Sequence, residues 1–252
     1  MQDLWINARK IILPDVLVDD ERRLWRRNED KMTPRMIFEQ ELERLKSQVA
    51  EMGERAILSF ERLEYAVKGG ETAVLKALLD NDRQMTDMQR SIEAKCLTLL
   101  TRQQPVARDM RLVSASLKVV TDIERVGAHV TDIAELYLRM DNVNQSDKIG
   151  KILETMMEED KEMLQNAVES FVNGDETEAG CVIDHDDVVD DLFNEVKADM
   201  MQAIQEQALD ADKVVDYLMV AKYLEKIGDH AVNIGEWAIF MMTGDLQGVK
   251  LY

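Results

Sequence analysis

The chain has little of what sheets, secreted scaffolds and nucleic-acid binders are built from. Aromatic residues make up 5% of its 252 positions and prolines number three, Pro14, Pro34 and Pro105. What fills it instead is Leu, Met, Ala, Val, Ile, Glu, Asp and Lys, the balance of long helices. Cysteine occurs twice, at Cys96 and Cys181, without CxxC spacing. That excludes a disulfide framework and predicts two small buried apolar residues in a reducing compartment. Positive charge is scarce: 31 Lys and Arg stand against 50 Asp and Glu, a formal net charge of -19. Nucleic acid is excluded as a partner, because binding it depends on Lys and Arg displacing counterions, and anionic membrane surfaces are disfavoured for the same reason. No stretch approaches the eighteen apolar residues of a membrane span, and none resembles a signal peptide. The expected location is therefore the cytoplasm, with no membrane insertion. Gly-rich phosphate loops, Ser-His-Asp order and a Cys nucleophile setting are also missing, which predicts neither an enzyme nor an organic cofactor.

What is present is a duplication. Glu124, Arg125, Val126, Gly127, Ala128, His129 returns as Glu225, Lys226, Ile227, Gly228, Asp229, His230, and outward Asp132 matches Asn233 and Glu135 matches Glu236. A unit built twice should show its function at equivalent positions, and differences between the copies are informative. The first thirty-odd residues differ from the rest, with Trp5, Ile11, Ile12 and Leu13 followed by Pro14 and a mixed-charge run. They read as a poorly ordered extension, residues 1–35, with Met32 or Met36 as alternative starts; the competing reading is an amphipathic arm for a partner.

Helical periodicity organises the remainder. Leu42, Leu45, Val49, Met52, Ala56, Ser59, Leu63 and Ala66 step by threes and fours through a first helix from Phe38 to Val67, broken by Lys68, Gly69, Gly70. A second runs from Glu71 to Leu100, and a third from Pro105 in its opening turn to about Met140. The second half repeats the plan: Ser146 caps a helix ending near Asn173 and Gly174, Asp175 caps one running to Gln207, and the last covers Asp210 to Met242, closed by Gly244. Short connections make neighbours antiparallel. The predicted fold is all-α, two tandem three-helix bundles of six long antiparallel helices, one over 36–141 and one over 146–244, with a tail at 245–252; a single continuous six-helix bundle would contain the same helices.

The chemistry lies where acid falls on an apolar seam. The heptad step of the third helix, Met110, Val113, Leu117, Val120, lands on Glu124, and that of the sixth, Val214, Leu218, Ala221, lands on Glu225. A carboxylate in such a seam carries a heavy desolvation penalty unless paired, hydrogen-bonded, protonated or metal-bound. Asp229, Asn233 and Glu236 follow Glu225 on one face, and Gly228 allows close approach there. On the fifth helix Asp184, Asp186, Asp187, Asp190 and Asp191 form a second acid set. If these helices are neighbours, Asp186 and Asp190 meet Glu225 and Asp229 in an oxygen-rich cluster suited to iron, manganese or magnesium, with zinc less suited for want of His or Cys ligands. The alternative is a solvated acidic face offset by Lys226 and other basic side chains.

The first half offers a thinner set, Asp82, Glu124 and Asp132, because Thr86 stands where Asp190 would be and Ala128 where Asp229 would be. The second-half cluster is thus expected to be the better site. His129 and His230 fall five residues after their glutamates and point away from them, and no Glu-x-x-His pair supports a ferritin-like oxidase. His185 is expected to be exposed.

These residues resemble the PhoU family of phosphate-specific transport accessory proteins across Met36 to Gly244. The resemblance rests on Arg102 to Arg111, on Glu124 to Gly127, and on Glu225 to Ile234. It implies a duplicated three-helix unit with E(D)xxxD motifs that hold metal clusters, often iron. Asp186 with Asp190 and Glu225 with Asp229 match that spacing, whereas Asp82 with Thr86 and Glu124 with Ala128 depart from it. The resemblance further implies a cytoplasmic negative regulator of phosphate uptake and of the phosphate-starvation response, coupling the ATPase of a phosphate ABC transporter to a sensor histidine kinase, and a homodimer. The competing classes are a carboxylate-cluster metalloprotein for storage or redox chemistry, and a purely structural helical scaffold.

Overall fold

A computed structural model describes residues 33–79, 81–102, 105–140, 148–206, 210–246 and 249–250. The expectations for residues 1–32 and for Ser146 as a cap lie outside the described residues. Seven helices are described: α1 (Pro34–Gly69), α2 (Thr72–Leu78), α3 (Asn81–Arg102), α4 (Ala107–Arg139), α5 (Lys148–Asn173), α6 (Glu176–Gln205) and α7 (Ala211–Thr243). The fold is all-α and duplicated, with α1 to α4 forming the first three-helix unit and α5 to α7 the second. A two-residue ladder, β1 (Asp245–Leu246) with β2 (Val249–Lys250), follows α7.

The predicted second helix is two pieces, α2 and α3, parted at Leu79, whose amide bonds Lys76 in a tightened last turn. Asp175 caps α6 as expected, its carboxylate accepting from the amides of Thr177 and Glu178. Gly244 closes α7 at φ +78, and Gly70 and Gly174 turn the chain at +66 and +68, a region that costs other residues a Cβ clash. Pro105 lies just outside α4 rather than in its first turn. The helix instead starts at Ala107, because the Asp109 carboxylate reaches back to the Val106 amide and anchors the cap there.

Leu42–Tyr252 forms one compact unit, in which the first helices of the two repeats meet, as do the third. Between the two first helices, Gly53 lets α1 approach α5 so closely that a Cβ there would lie 2.5 Å from Val168 Cγ1. Beside that crossing Lys161 bonds Glu64 at 2.6 Å and Lys68 joins Glu64, Glu154 and Glu158. Burial would raise the Glu64 carboxyl, but hydrogen bonds from Lys161 and Lys68 outweigh it and hold Glu64 below its ordinary value. The two third helices, α4 and α7, pack on one another, and the seams predicted from the heptad step are buried at Val113, Val120 and Ala134 on α4 and at Val214 and Ala221 on α7, whereas Met110, Leu117, Leu138 and Leu218 stay half-buried. α7 also packs on α5 and α6, which sets Glu225 beside the acids of α6.

Cys96 is buried as expected, and burial pushes its thiol up to about 12. Cys181 is exposed. It falls between the buried Ala179 and Val182 and so turns off the contact stripe of α6.

Candidate functional site

The second repeat brings its acids together from three helices. α7 supplies Glu225 and Asp229, α6 supplies Asp186 and Asp190, and α5 supplies Asp160, which the motif spacing does not include. Asp160 is 0% exposed, and neither of its carboxyl oxygens has a hydrogen-bond partner. Burial first, then the charges of Asp186, Glu225, Glu159 and Asp229, holds its carboxyl well above the usual carboxylate range. Burial likewise leads for Asp186, with Asp190, Asp229, Glu225 and Asp187 adding to it, and pushes that carboxyl to about 6. The helices close on Gly228, where a Cβ would lie 3.2 Å from Asp186 Oδ1 and 3.3 Å from Asp160 Oδ1. Two carboxylate oxygens from two helices therefore face one point on a third.

The seam glutamates are only partly withdrawn from water, at 15% side-chain exposure for Glu124 and 13% for Glu225. Glu225 is paired: Lys222 lies 2.6 Å and Lys226 3.3 Å from Oε2, and Lys226 also binds Asp229. These lysines are the basic side chains anticipated as offsets, and they serve the outer carboxylates only. Asp190, Asp184, Asp187 and Asp191 are exposed. His185 is half-buried rather than exposed, because its Nε2 lies 2.6 Å from Glu159 Oε2 across the α5 to α6 contact.

The first repeat lacks this set. Counting back fourteen residues from Gly70 and from Gly174 pairs Ala56 with Asp160, so the buried acid of α5 is a methyl group on α1. Glu124 accepts a hydrogen bond from the Thr86 hydroxyl at 3.1 Å. The point equivalent to Gly228 is Gly127, and a Cβ there would meet the Met85 side chain. Asp132 does not join Glu124; its carboxylate lies 3.4 Å from His129 Nδ1. Asp82 lies in the first turn of α3, and its side chain falls outside the described residues.

A second polar group that the sequence did not reveal ties the repeats together across α4 and α7. His230 Nδ1 lies 2.8 Å from Asp122 Oδ1, which also accepts from Asn233 at 3.2 Å. His129 stacks on His230 at 5.6 Å and lies 5.3 Å from Tyr223. Asp122 and Tyr223 each stand two residues before their seam glutamate, so each histidine meets the equivalent position of the other repeat. Burial holds the His129 imidazole below its usual value despite Asp132.

Whether the second repeat suits a metal can be judged from its donors. Among the described residues no three His, Cys, Asp or Glu side chains already stand at metal-ligand geometry. The orphaned oxygens of Asp160, the cradle at Gly228 and the all-oxygen donor set nevertheless fit a hard divalent cation, given rotation of Glu225 and Asp229 off their lysines.

Comparison with known proteins agrees with the duplication. The PhoU domain model matches residues 49–137 and again 153–238. A Clostridium acetobutylicum phosphate-specific transport system accessory protein PhoU homolog is 32% identical over 211 residues, 83% of this chain and 96% of that protein. A Thermotoga maritima PhoU homolog is 30% identical, covering 84% and 92%. Among solved structures, PhoU from Pseudomonas aeruginosa superposes with a TM-score of 0.78 at 26% identity, covering 82% of this chain and 100% of that one. The regulatory PhoU of Streptococcus pneumoniae, at 22% identity and a TM-score of 0.77, shares the fold. With two matched domains and relatives aligned nearly end to end, the chain belongs to the PhoU family of phosphate transport accessory proteins.

Proposed function

We propose that this protein is a cytoplasmic negative regulator of phosphate uptake and of the phosphate-starvation response, acting as a homodimer between the ATPase of a phosphate ABC transporter and a sensor histidine kinase. The observation that carries the reading is the family membership itself, with 96% of the Clostridium relative, named for phosphate-specific transport, spanned by this chain. No helix among the described residues is long and apolar enough to cross a membrane, which suits a protein that reaches the transporter from its aqueous side. Regulation then comes from docking: if the two kinase states bind this protein with different affinity, occupancy by the transporter shifts the kinase balance without any bond being made or broken.

Metal belongs to the same reading. Asp186, Asp190, Glu225 and Asp229 hold a divalent cation in the second repeat, iron or manganese before magnesium or zinc, which when bound cross-links α6 and α7 and neutralises their charge. The experiment is deletion of the gene, with phosphate uptake and kinase output followed from scarce to abundant phosphate. The expected result is uptake and output that stay high in abundance and are restored by the intact gene. Unchanged repression in the deletion strain would end the proposal.

A further inference from the structure

Asp160 is the carboxylate for which neither motif spacing nor pairing accounts. It belongs to α5, it is fully buried, and both oxygens lack partners. The basic side chains around it on its own and the neighbouring helices are paired elsewhere: Lys161 to Glu64, Lys222 to Glu225, Lys226 to Glu225 and Asp229, His185 to Glu159. What Asp160 does face is Gly228, where the point a Cβ would occupy lies 3.3 Å from Asp160 Oδ1, 3.2 Å from Asp186 Oδ1 and 3.5 Å from Val189 Cγ1. Two carboxylate oxygens and one valine methyl thus converge on a position without a side chain, and no hydrogen-bond donor reaches Asp160 there. A hard cation with oxygen ligands answers this convergence, because it supplies the positive charge that the buried carboxylate lacks.

We propose that Asp160 is the inner ligand of the second-repeat metal site, so that the cation sits against Gly228 between Asp160 and Asp186 and is held by three helices rather than two. The inference rests on the metal reading given above and deepens it. Glu225 and Asp229, nearer the surface and now held by Lys222 and Lys226, complete the oxygen set from outside. The full burial of Asp160 also sets selectivity. Magnesium surrenders its waters reluctantly, so the buried side favours manganese or ferrous iron.

The test uses full-length protein stripped with chelator and titrated with Mn2+, following the loss of the free-ion electron paramagnetic resonance signal with and without excess Mg2+. Wild-type protein is expected to bind Mn2+ and to keep it against Mg2+. Asp160→Asn is expected to weaken binding by more than the roughly 10–100-fold that losing an outer-shell partner costs, while melting in chelator at the same or a higher temperature. Gly228→Ala, which fills the cradle, gives an independent check and is expected to weaken binding similarly. Wild-type affinity in both variants would remove Asp160 from the site and leave the metal reading standing. Absence of Mn2+ binding by wild-type protein would overturn that reading and this inference together.

Discussion

The two repeats place the same glutamate on the same seam and treat it oppositely. In the first, Glu124 meets a threonine hydroxyl, the aspartate positions of the sister motif are Thr86 and Ala128, and the buried acid position is Ala56. In the second, Glu225 sits among Asp160, Asp186, Asp190 and Asp229, with two lysines for the outer members and nothing for the innermost. One copy satisfies its carboxylate by hydrogen bonding and is complete as it stands. The other concentrates like charge in a place where charge is expensive, and a bound cation would offset it.

The comparison breaks most visibly if the first repeat accepts the acid of the second. Ala56→Asp buries a carboxylate at a position that is 0% exposed. It should lower stability by about 3–5 kcal/mol, read as a fall in the urea midpoint, as for other uncompensated buried charges. An unchanged midpoint would show that the position tolerates charge in either copy.

The converse change sharpens the comparison. Asp160→Asn keeps the shape, removes the buried charge and offers an amide N–H to the neighbouring carboxylates, so in chelator it should raise stability by about 1–2 kcal/mol. A loss of that size would mean the carboxyl is already satisfied.

Acidification probes the same strain without mutation. Because the Asp186 carboxyl sits at about 6 in the folded protein against an ordinary 3.8, the folded state binds the proton more tightly than the unfolded chain. Stability is therefore lost as pH rises through that window and recovered as it falls. Going from pH 7 to pH 5 in chelator should stabilise the protein by up to about 1 kcal/mol, after discounting for the partial exposure of Asp186. Asp160 is shifted in the same direction. Glu64, lowered by its lysines from an ordinary 4.5, opposes them only at more acid pH. Denaturation midpoints at the two pH values check the sign, and a flat or inverted profile contradicts it.

The smallest effect is in the quiet copy. Thr86→Val takes the hydroxyl from Glu124 and should cost about 0.5–1 kcal/mol in thermal or urea unfolding, the worth of one hydrogen bond with water still in reach. A larger loss would make the first-repeat contact more than a simple substitute for charge.

Most of the fold is legible in the sequence because its signals are local: periods of three and four, a left-handed glycine after each first helix, an aspartate cap at Asp175, Gly244 at the end of α7. The parting of α2 from α3 is signalled only by Asn81 and Asp82, which fall where the apolar step from Leu78 to Met85 would continue and read equally as a polar patch on one long helix. At the site, Glu225 and Asp186 are legible because acid interrupts an apolar step. Asp160 obeys the same rule, three residues after the buried Met157 and four before the buried Leu164, but the flanking Glu158, Glu159 and Glu162 disguise it as part of a solvated run. The links from Asp122 to His230 and from Tyr223 to His129 join residues about a hundred positions apart, and no single-helix pattern contains them. Nor does spacing show that Lys222 and Lys226 occupy the outer acids, because their reach depends on rotamers.

The most direct measurement of the asymmetry is the amount of Mn2+ retained per chain after equilibrium dialysis, compared among wild-type protein, Glu124→Gln and Asp186→Asn. The asymmetric account predicts that wild type and Glu124→Gln retain the same amount and that Asp186→Asn retains none. Retention that falls with Glu124→Gln, or that survives Asp186→Asn, would contradict it.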